Sequence, residues 1–219
     1  MSAFLCADLH LGHRGIHNYR KITVEDKNNV VLPKGGNFQY ATRVIDSPEE
    51  HDDYIEKCWM EMKFKTRRDT IYLLGDVAFD DAAWERLDSW PGRKIIILGN
   101  HCTERTTIQK IAGLQTVNSV HSMLKYKSFW LTHAPMHPDE LRGRRNVHGH
   151  MHYGFIRDRR YKCVSLEHTD WRPVNLEEIE REFERRQSLN YVRKTLGWKA
   201  LACAILNGTK NIERNSTNS

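Results

Sequence analysis

Five short polar islands carry the residue types that do chemistry: Asp8-Leu9-His10, Gly75-Asp76, Gly99-Asn100-His101, Thr132-His133 and His148-Gly149-His150-Met151-His152. Their carboxylate, carboxamide and imidazole groups are oxygen and nitrogen donors, and together they suffice for two divalent ions. A closed structural zinc site would instead draw on thiolates, and only Cys102 directly follows one of these islands. Spacing adds direction to composition. Asp8 and His10 alternate along an extended segment and so face the same way, as do His150 and His152 after Gly149. His148 shares that parity but precedes the glycine, which leaves it as an outer partner or a spare donor. Asn100 reads in two ways, as a neutral metal ligand or as the cap of a helix around Thr106 to Ala112. In the first reading His101 points elsewhere and is free to act on a substrate.

The elements that must position these islands are legible around them. Short apolar runs precede four of the five: Ala3 to Ala7, Ile71 to Leu74, Lys94 to Leu98 and Phe129 to Leu131. Each reads as a buried strand, and strand ends opening onto loops are where an α/β sheet gathers functional groups. Ser47-Pro48-Glu49-Glu50 is a helix start with a capping hydroxyl and an early proline, and the helix is expected to reach Lys65, burying Tyr54, Ile55, Cys58, Trp59 and Met62. A second helix is expected over Asp81 to Trp90, a strand near Lys162 to Leu166, and helices from Asn175 to Gln187 and from Tyr191 to Leu206. This alternation predicts an α/β chain, α+β by some schemes. Leu11 to Asp46 reads as one long segment with a turn at Pro33-Lys34-Gly35-Gly36-Asn37. Its basic start supplies His13, Arg14 and Arg20, either as contacts for substrate phosphate oxygens or as ordinary loop charge.

Composition narrows the class. The chain has 219 residues, 28% charged and 39% hydrophobic, which is enough for one sizeable core and leaves no apolar run of membrane-spanning length. With no basic leader at its start, a cytoplasmic protein is expected. The five cysteines, Cys6, Cys58, Cys102, Cys163 and Cys203, are never spaced as a CxxC pair, so they predict reduced and mostly buried thiols. A formal net charge of +6 favours an anionic partner. Part of it lies in residues 188–219, read as a basic helical extension ending in a stretch of disorder-prone composition. That extension is either solvated or an arm for nucleic acid, and it lacks the interleaved aromatics that stacking would use.

Taken in order, D-x-H, G-D, G-N-H, H and G-H-x-H resemble the calcineurin-like metallophosphoesterase superfamily over Asp8 to His152. The segments Ala7 to His13, Gly75 to Phe79 and Trp171 to Leu176 are similar to its small single-domain members in bacteria and their phages. The resemblance implies two mixed β-sheets packed as a sandwich and flanked by helices, in a domain over residues 1–187. It implies one ion on Asp8, His10, Asp76 and His152, a second on Asp76, Asn100, His133 and His150, and His101 as the acid at the leaving group. The expected reaction is hydrolysis of a phosphoester by a hydroxide bridging two divalent ions, with manganese the best fit and iron, nickel, zinc or magnesium as alternatives. A phosphodiester of a nucleotide or single-stranded nucleic acid is the first expectation, helped by Arg142-Gly143-Arg144-Arg145 as a basic channel; a phosphomonoester or phosphoprotein is the alternative. For a phage-encoded chain the compartment would be the host cytoplasm. One departure stands out. Cys102 replaces the acidic residue that the family places after G-N-H, which brings in a reading of another class, a metal-retaining binding or scaffold protein with weak turnover, unless Glu104 takes over the missing role.

Overall fold

The computed structural model describes residues 2–20, 45–65 and 68–187. Two sheets organise them. The first has the order β4-β3-β2-β1-β9, built from β1 (Ala3–Cys6), β2 (Thr70–Leu74), β3 (Arg93–Ile97), β4 (Val117–His121) and β9 (Val174–Asn175). Its first four strands are parallel, with Leu5 opposite Tyr72 and Leu73 opposite Ile96, and β9 closes one edge antiparallel to β1. The second has the order β5-β6-β7-β8, from β5 (Met123–Tyr126), β6 (Phe129–Thr132), β7 (Arg145–His148) and β8 (Tyr161–Cys163). There β6, β7 and β8 run parallel and β5 is antiparallel to β6. The described chain is thus α/β with two mixed sheets and several helices, as expected.

Parallel pairing decides where the islands go. Strands that run the same way end at the same edge, so the residues after β1, β2 and β3 emerge together, as do those after β6 and β7. The two edges are joined where the chain leaves β1 and β8. Ala7 bridges to Ser165, the Ala7 amide donates to Val164 O at 2.9 Å, and the Leu166 amide donates to Ala7 O at 3.2 Å.

The helices are α1 (Ile16–Arg20), α2 (Pro48–Glu61), α3 (Asp81–Asp88), α4 (Ile108–Ala112) and α5 over 176–187. Ser47 caps α2 as expected, accepting from the Glu50 amide at 3.0 Å. That helix stops at Glu61 rather than Lys65, because Lys63 takes a left-handed backbone with φ 51°. Thr107 caps α4, so Asn100 has no part in that cap. The expected loop from Leu11 contains α1, and β4 and β5 arise from Val117 to Tyr126, where the polar alternation gives a weak sequence signal. Trp59 packs against Trp90 at 5.3 Å and Phe64 at 5.2 Å between ring centres, forming the aromatic part of the core beneath α2. Among the described residues no helix is long and apolar enough to cross a membrane.

The chain divides into two compact units, Met1–Leu176 and Glu177–Ser219. Both sheets belong to the first. The turn at 33–37, the helix expected at 191–206, the basic extension at 188–219 and Cys203 lie outside the described residues.

Lys94 sits within the core, fully buried on β3. Its ammonium donates to Trp90 O at 2.7 Å, Thr116 Oγ1 at 2.9 Å and Gly92 O at 3.3 Å. Burial nevertheless pushes it down to about 8, against the attraction of Asp88. A lysine whose folded pKa lies below its unfolded value of about 10.4 carries fewer protons folded than unfolded in that window, so stability rises with pH there. The wild type should therefore gain stability relative to Lys94→Met between about pH 8 and 10, as read by urea unfolding at each pH. A constant difference would show that Lys94 keeps an ordinary pKa.

Candidate metal centre

Two clusters of donor atoms meet where the sheet edges join: Asp8, His10 and His152, and Asp76, His133 and His150. Within each, the ligand atoms lie within 4.8 Å of one another. Backbone geometry sets their directions. Asp8, His10, Asp76, His150 and His152 all adopt left-handed φ, between 46° and 69°, a conformation few side chains tolerate and one that concentrates at functional sites. Close approach of glycine backbone does the rest. A Cβ on Gly99 would lie 2.2 Å from Asp76 Oδ1, and one on Gly149 would lie 2.6 Å from Asp8 Oδ2 and 2.4 Å from the Ala7 Cβ. Each aspartate is thus seated against a glycine from another island.

Each carboxylate divides its two oxygens between tasks. Oδ2 of Asp8 accepts from Ser165 Oγ at 2.6 Å and from the His150 amide at 2.8 Å. Its Oδ1 has no hydrogen-bond partner and stands 3.9 Å from His10 Nε2, which also lacks one. Oδ1 of Asp76 accepts from the His101 amide at 2.9 Å, while its Oδ2 faces His133 Nε2 at 3.3 Å and His10 Nε2 at 3.9 Å. Asp76 therefore stands between the two clusters. His133 donates from Nδ1 to Leu74 O at 2.9 Å, which turns the Nε2 lone pair toward Asn100 Oδ1 at 2.9 Å and His150 Nδ1 at 3.1 Å. Lone pairs converging at these distances repel each other unless a cation or proton lies among them. Donor atoms about 2.0–2.2 Å from a shared ion are spaced roughly 3–4 Å apart. The orphaned buried donors and the spacing fit divalent metal, and these groups could hold metal ions.

The electrostatics prepare the same result. Burial pushes Asp8 up to about 6, with the nearby His152 and the Ser165 hydroxyl opposing it. Burial, reinforced by Arg20, drives His10 far below the usual imidazole range; burial and His133 lower His150. Neutral imidazole is the form that ligates. Asp76 moves the other way: burial would raise it, but His133 and the His101 amide hold it below the usual carboxylate range. The same pairing raises His133 against its own burial.

Behind these residues lies a buried chain that sequence reasoning missed. His152 donates from Nδ1 to Glu167 Oε1 at 2.8 Å, and Arg20 Nε donates to that same oxygen at 2.8 Å. Arg20 also donates to Leu9 O at 3.3 Å, to Asp8 O, and to His51 Nε2 at 2.7 Å. Since a guanidinium only donates, His51 Nε2 accepts, and its proton sits on Nδ1, 2.8 Å from Asp52 Oδ1. Asp52 Oδ2 in turn accepts from the Gly12 amide at 2.8 Å. Burial would raise Glu167, yet Arg20 and His152 hold it ionised at about 2. A carboxylate behind a ligating histidine fixes its tautomer and ring. The periodicity His51, Ile55, Cys58 on one helix face was the available signal for His51; Glu167, on a short turn, offered none.

Arg20 was expected to hold substrate phosphate. Its side chain is fully buried and its nitrogens are engaged within the protein, so it positions Asp8 and Glu167 instead. Arg14 is exposed on the turn before α1. His13 does line the cavity over the site, about 380 Å³, together with His10, Ile16, Tyr19, Asp76, Phe79, His101, His150 and His152. Phe79 stacks against both His10 and His101, at 5.2 and 5.3 Å between ring centres, and those two rings are themselves 6.2 Å apart. The Arg142 to Arg145 stretch stands away from this cavity: Arg142 pairs with Glu140, and Arg144 donates to Lys127 O at 2.6 Å. His148 is buried, donates from Nδ1 to Gly149 O at 2.8 Å, is lowered to about 4 by burial, and belongs to neither donor cluster.

His101 borders the cavity half-exposed, and its Nδ1 is paired with Glu104 Oε1. Cys102 turns inward, accepting from the Gly99 amide at 3.3 Å, and burial raises its thiol. Cys6, Cys58 and Cys163 are likewise buried free thiols.

No protein-family model matches this chain. It is 28% identical over 105 residues to the Gene 66 protein of Mycobacterium phage L5, a match spanning 46% of this chain and 39% of that protein. The described fold is similar to the crystal structure of a protein of unknown function from Aquifex aeolicus, with a TM-score of 0.52, 20% identity, and coverage of 82% of this chain and 98% of that one.

If Glu167 orients His152 for metal, Glu167→Gln should weaken Mn²⁺ binding by about 10- to 100-fold in calorimetric titration of chelator-stripped protein. Added Mn²⁺ should also raise the wild-type melting temperature as ligand binding to the native state requires. Wild-type affinity in the variant would reduce Glu167 to a partner of Arg20 alone.

Proposed function

We propose that this chain is a metal-dependent phosphoesterase of the calcineurin-like kind, with the sandwich fold of that superfamily, acting on phosphodiesters. The observation that carries the reading is the placement of Asp76 between two ligand clusters, with the unligated His101 beside them. In this reading Asp8, His10, Asp76 and His152 hold one divalent ion, and Asp76, Asn100, His133 and His150 hold a second; manganese suits the donor set best. Ions so bound supply Lewis-acid activation of water and neutralise charge on phosphoryl oxygens.

The protein groups do the remaining work. Ser165 and the His150 amide keep Asp8 turned so that one oxygen faces the site, and Glu167 does the same for His152. Phe79 holds the His10 and His101 rings in register. His101 Nε2 delivers a proton to the departing oxygen, while Glu104 at Nδ1 fixes the tautomer and stabilises the charged ring. Glu104 would thereby supply the carboxylate missing at Cys102, and its pairing with His101 is the observation that favours turnover over a binding protein with little of it.

Bis-p-nitrophenyl phosphate and p-nitrophenyl phosphate, offered side by side to Mn²⁺-refilled protein, test the proposal. Diester cleavage should exceed monoester cleavage, and His101→Ala should lower it by about 10²–10⁴-fold. Full activity in Asp76→Ala would sink the dinuclear arrangement; a monoester preference would move the substrate class to phosphomonoesters or phosphoproteins. Separately, Glu104→Gln should lower kcat by about tenfold with little change in KM. An unchanged kcat would leave His101 without a positioning partner.

A further inference from the structure

Tyr19 is 57% exposed, the most exposed of the large hydrophobic side chains among the described residues, yet it stands in the wall of the cavity that holds the metal ligands. Its ring lies 5.3 Å from that of His152 and 5.9 Å from that of Tyr153. The next residue anchors it. Arg20, fully buried, ties the end of α1 to Leu9 O, Asp8 O and Glu167, so the helix presenting Tyr19 is fastened to the same groups that orient His152. Ile16, one turn earlier on the same helix, is buried and lines the same cavity. A tyrosine held this way offers a flat, wettable surface at small entropic cost.

The cavity's size and its two walls say what would use that surface. At about 380 Å³ it falls at the lower end of the range for small-molecule sites, about 300–1,000 Å³, and so accommodates more than a phosphoryl group. Within the lining, His101 packs on Phe79, whereas Tyr19 packs on His152 and Tyr153. If His101 serves the leaving group, Tyr19 faces the ester arm that stays on the phosphate. Stacking on an aromatic side chain favours a planar ring, and every nucleobase has one.

We propose that Tyr19 forms a base-stacking subsite, and that the substrate is a phosphodiester bearing a nucleoside on its retained arm. This rests on the phosphodiesterase reading, and the test separates the two. Thymidine 5′-(p-nitrophenyl phosphate) and methyl p-nitrophenyl phosphate release the same chromophore and differ only in the retained arm. Wild-type kcat/KM should favour the thymidine ester by at least about fivefold, Tyr19→Phe should keep that ratio, and Tyr19→Ala should bring it near unity. A wild-type ratio near unity, or one that survives Tyr19→Ala, overturns the subsite while leaving the phosphodiesterase intact. Turnover of neither ester counts against the phosphodiesterase. The subsite is then decided by titrating 2-aminopurine riboside 5′-monophosphate with the full chain in Mg²⁺: quenching by wild type and Tyr19→Phe but not Tyr19→Ala supports it, and equal quenching by all three, or none, overturns it.

Discussion

One carboxylate oxygen joins the two sheets at the place where everything else converges. Oδ2 of Asp8, at the end of β1, takes a hydroxyl from Ser165 after β8 and an amide from His150 after β7. Because that oxygen is spent on the second sheet, the other is left facing His10, and the two edges are held close enough for donors from both to share a centre. The bridge from Ala7 to Ser165 and the contact of Gly149 with Ala7 belong to the same closure. Loss of the carboxylate would uncouple the sheets at the site, since the His150 amide would lose its acceptor and the Ser165 hydroxyl would keep only Cys163.

Around this joint the site is layered in a way that separates holding from acting. At the centre, Asp8 Oδ1 and both ring nitrogens of His10 have no protein partner; the residues one step behind are engaged with one another. The Gly12, Asp52, His51, Arg20, Glu167 and His152 sequence of contacts runs from α2 through α1 to a single imidazole. Such a path makes α2, far from the islands in sequence, part of what fixes His152. It also explains why charged residues are tolerated in the interior: every one in the path has an opposite charge or a matching donor.

The motif residues were readable because alternation and glycine turns leave a sequence trace. Asp8, His10, Asp76, His133, His150 and His152 are brought together as strand ends predicted, and Asn100 reaches His133. The strands themselves were readable as apolar runs, including β3 despite its buried Lys94. What escaped reading was everything that depends on tertiary partners. Arg20 looked like a loop charge on offer to substrate, since nothing local announces that Glu167, 147 residues away, will neutralise it. The β4 and β5 strands lack a strong apolar period, and their stability comes from neighbours on the sheet. Glu104 was readable as the residue that could stand in at Cys102, but its reach to His101 depended on a turn whose geometry the letters do not fix.

Five of the site's residues share a left-handed backbone, and this has a bearing on the protein's history. Each such residue other than glycine costs on the order of 1–2 kcal/mol, somewhat less for aspartate and histidine, against a total folding stability of about 5–15 kcal/mol for an ordinary protein. A lineage selected only to fold would find easy gains by placing glycine or asparagine at positions 8, 10, 76, 150 and 152, erasing the donors as it did so. The strained positions thus carry their donor side chains at the expense of the fold's own stability, and they are where a search for a hardier, inert scaffold would begin.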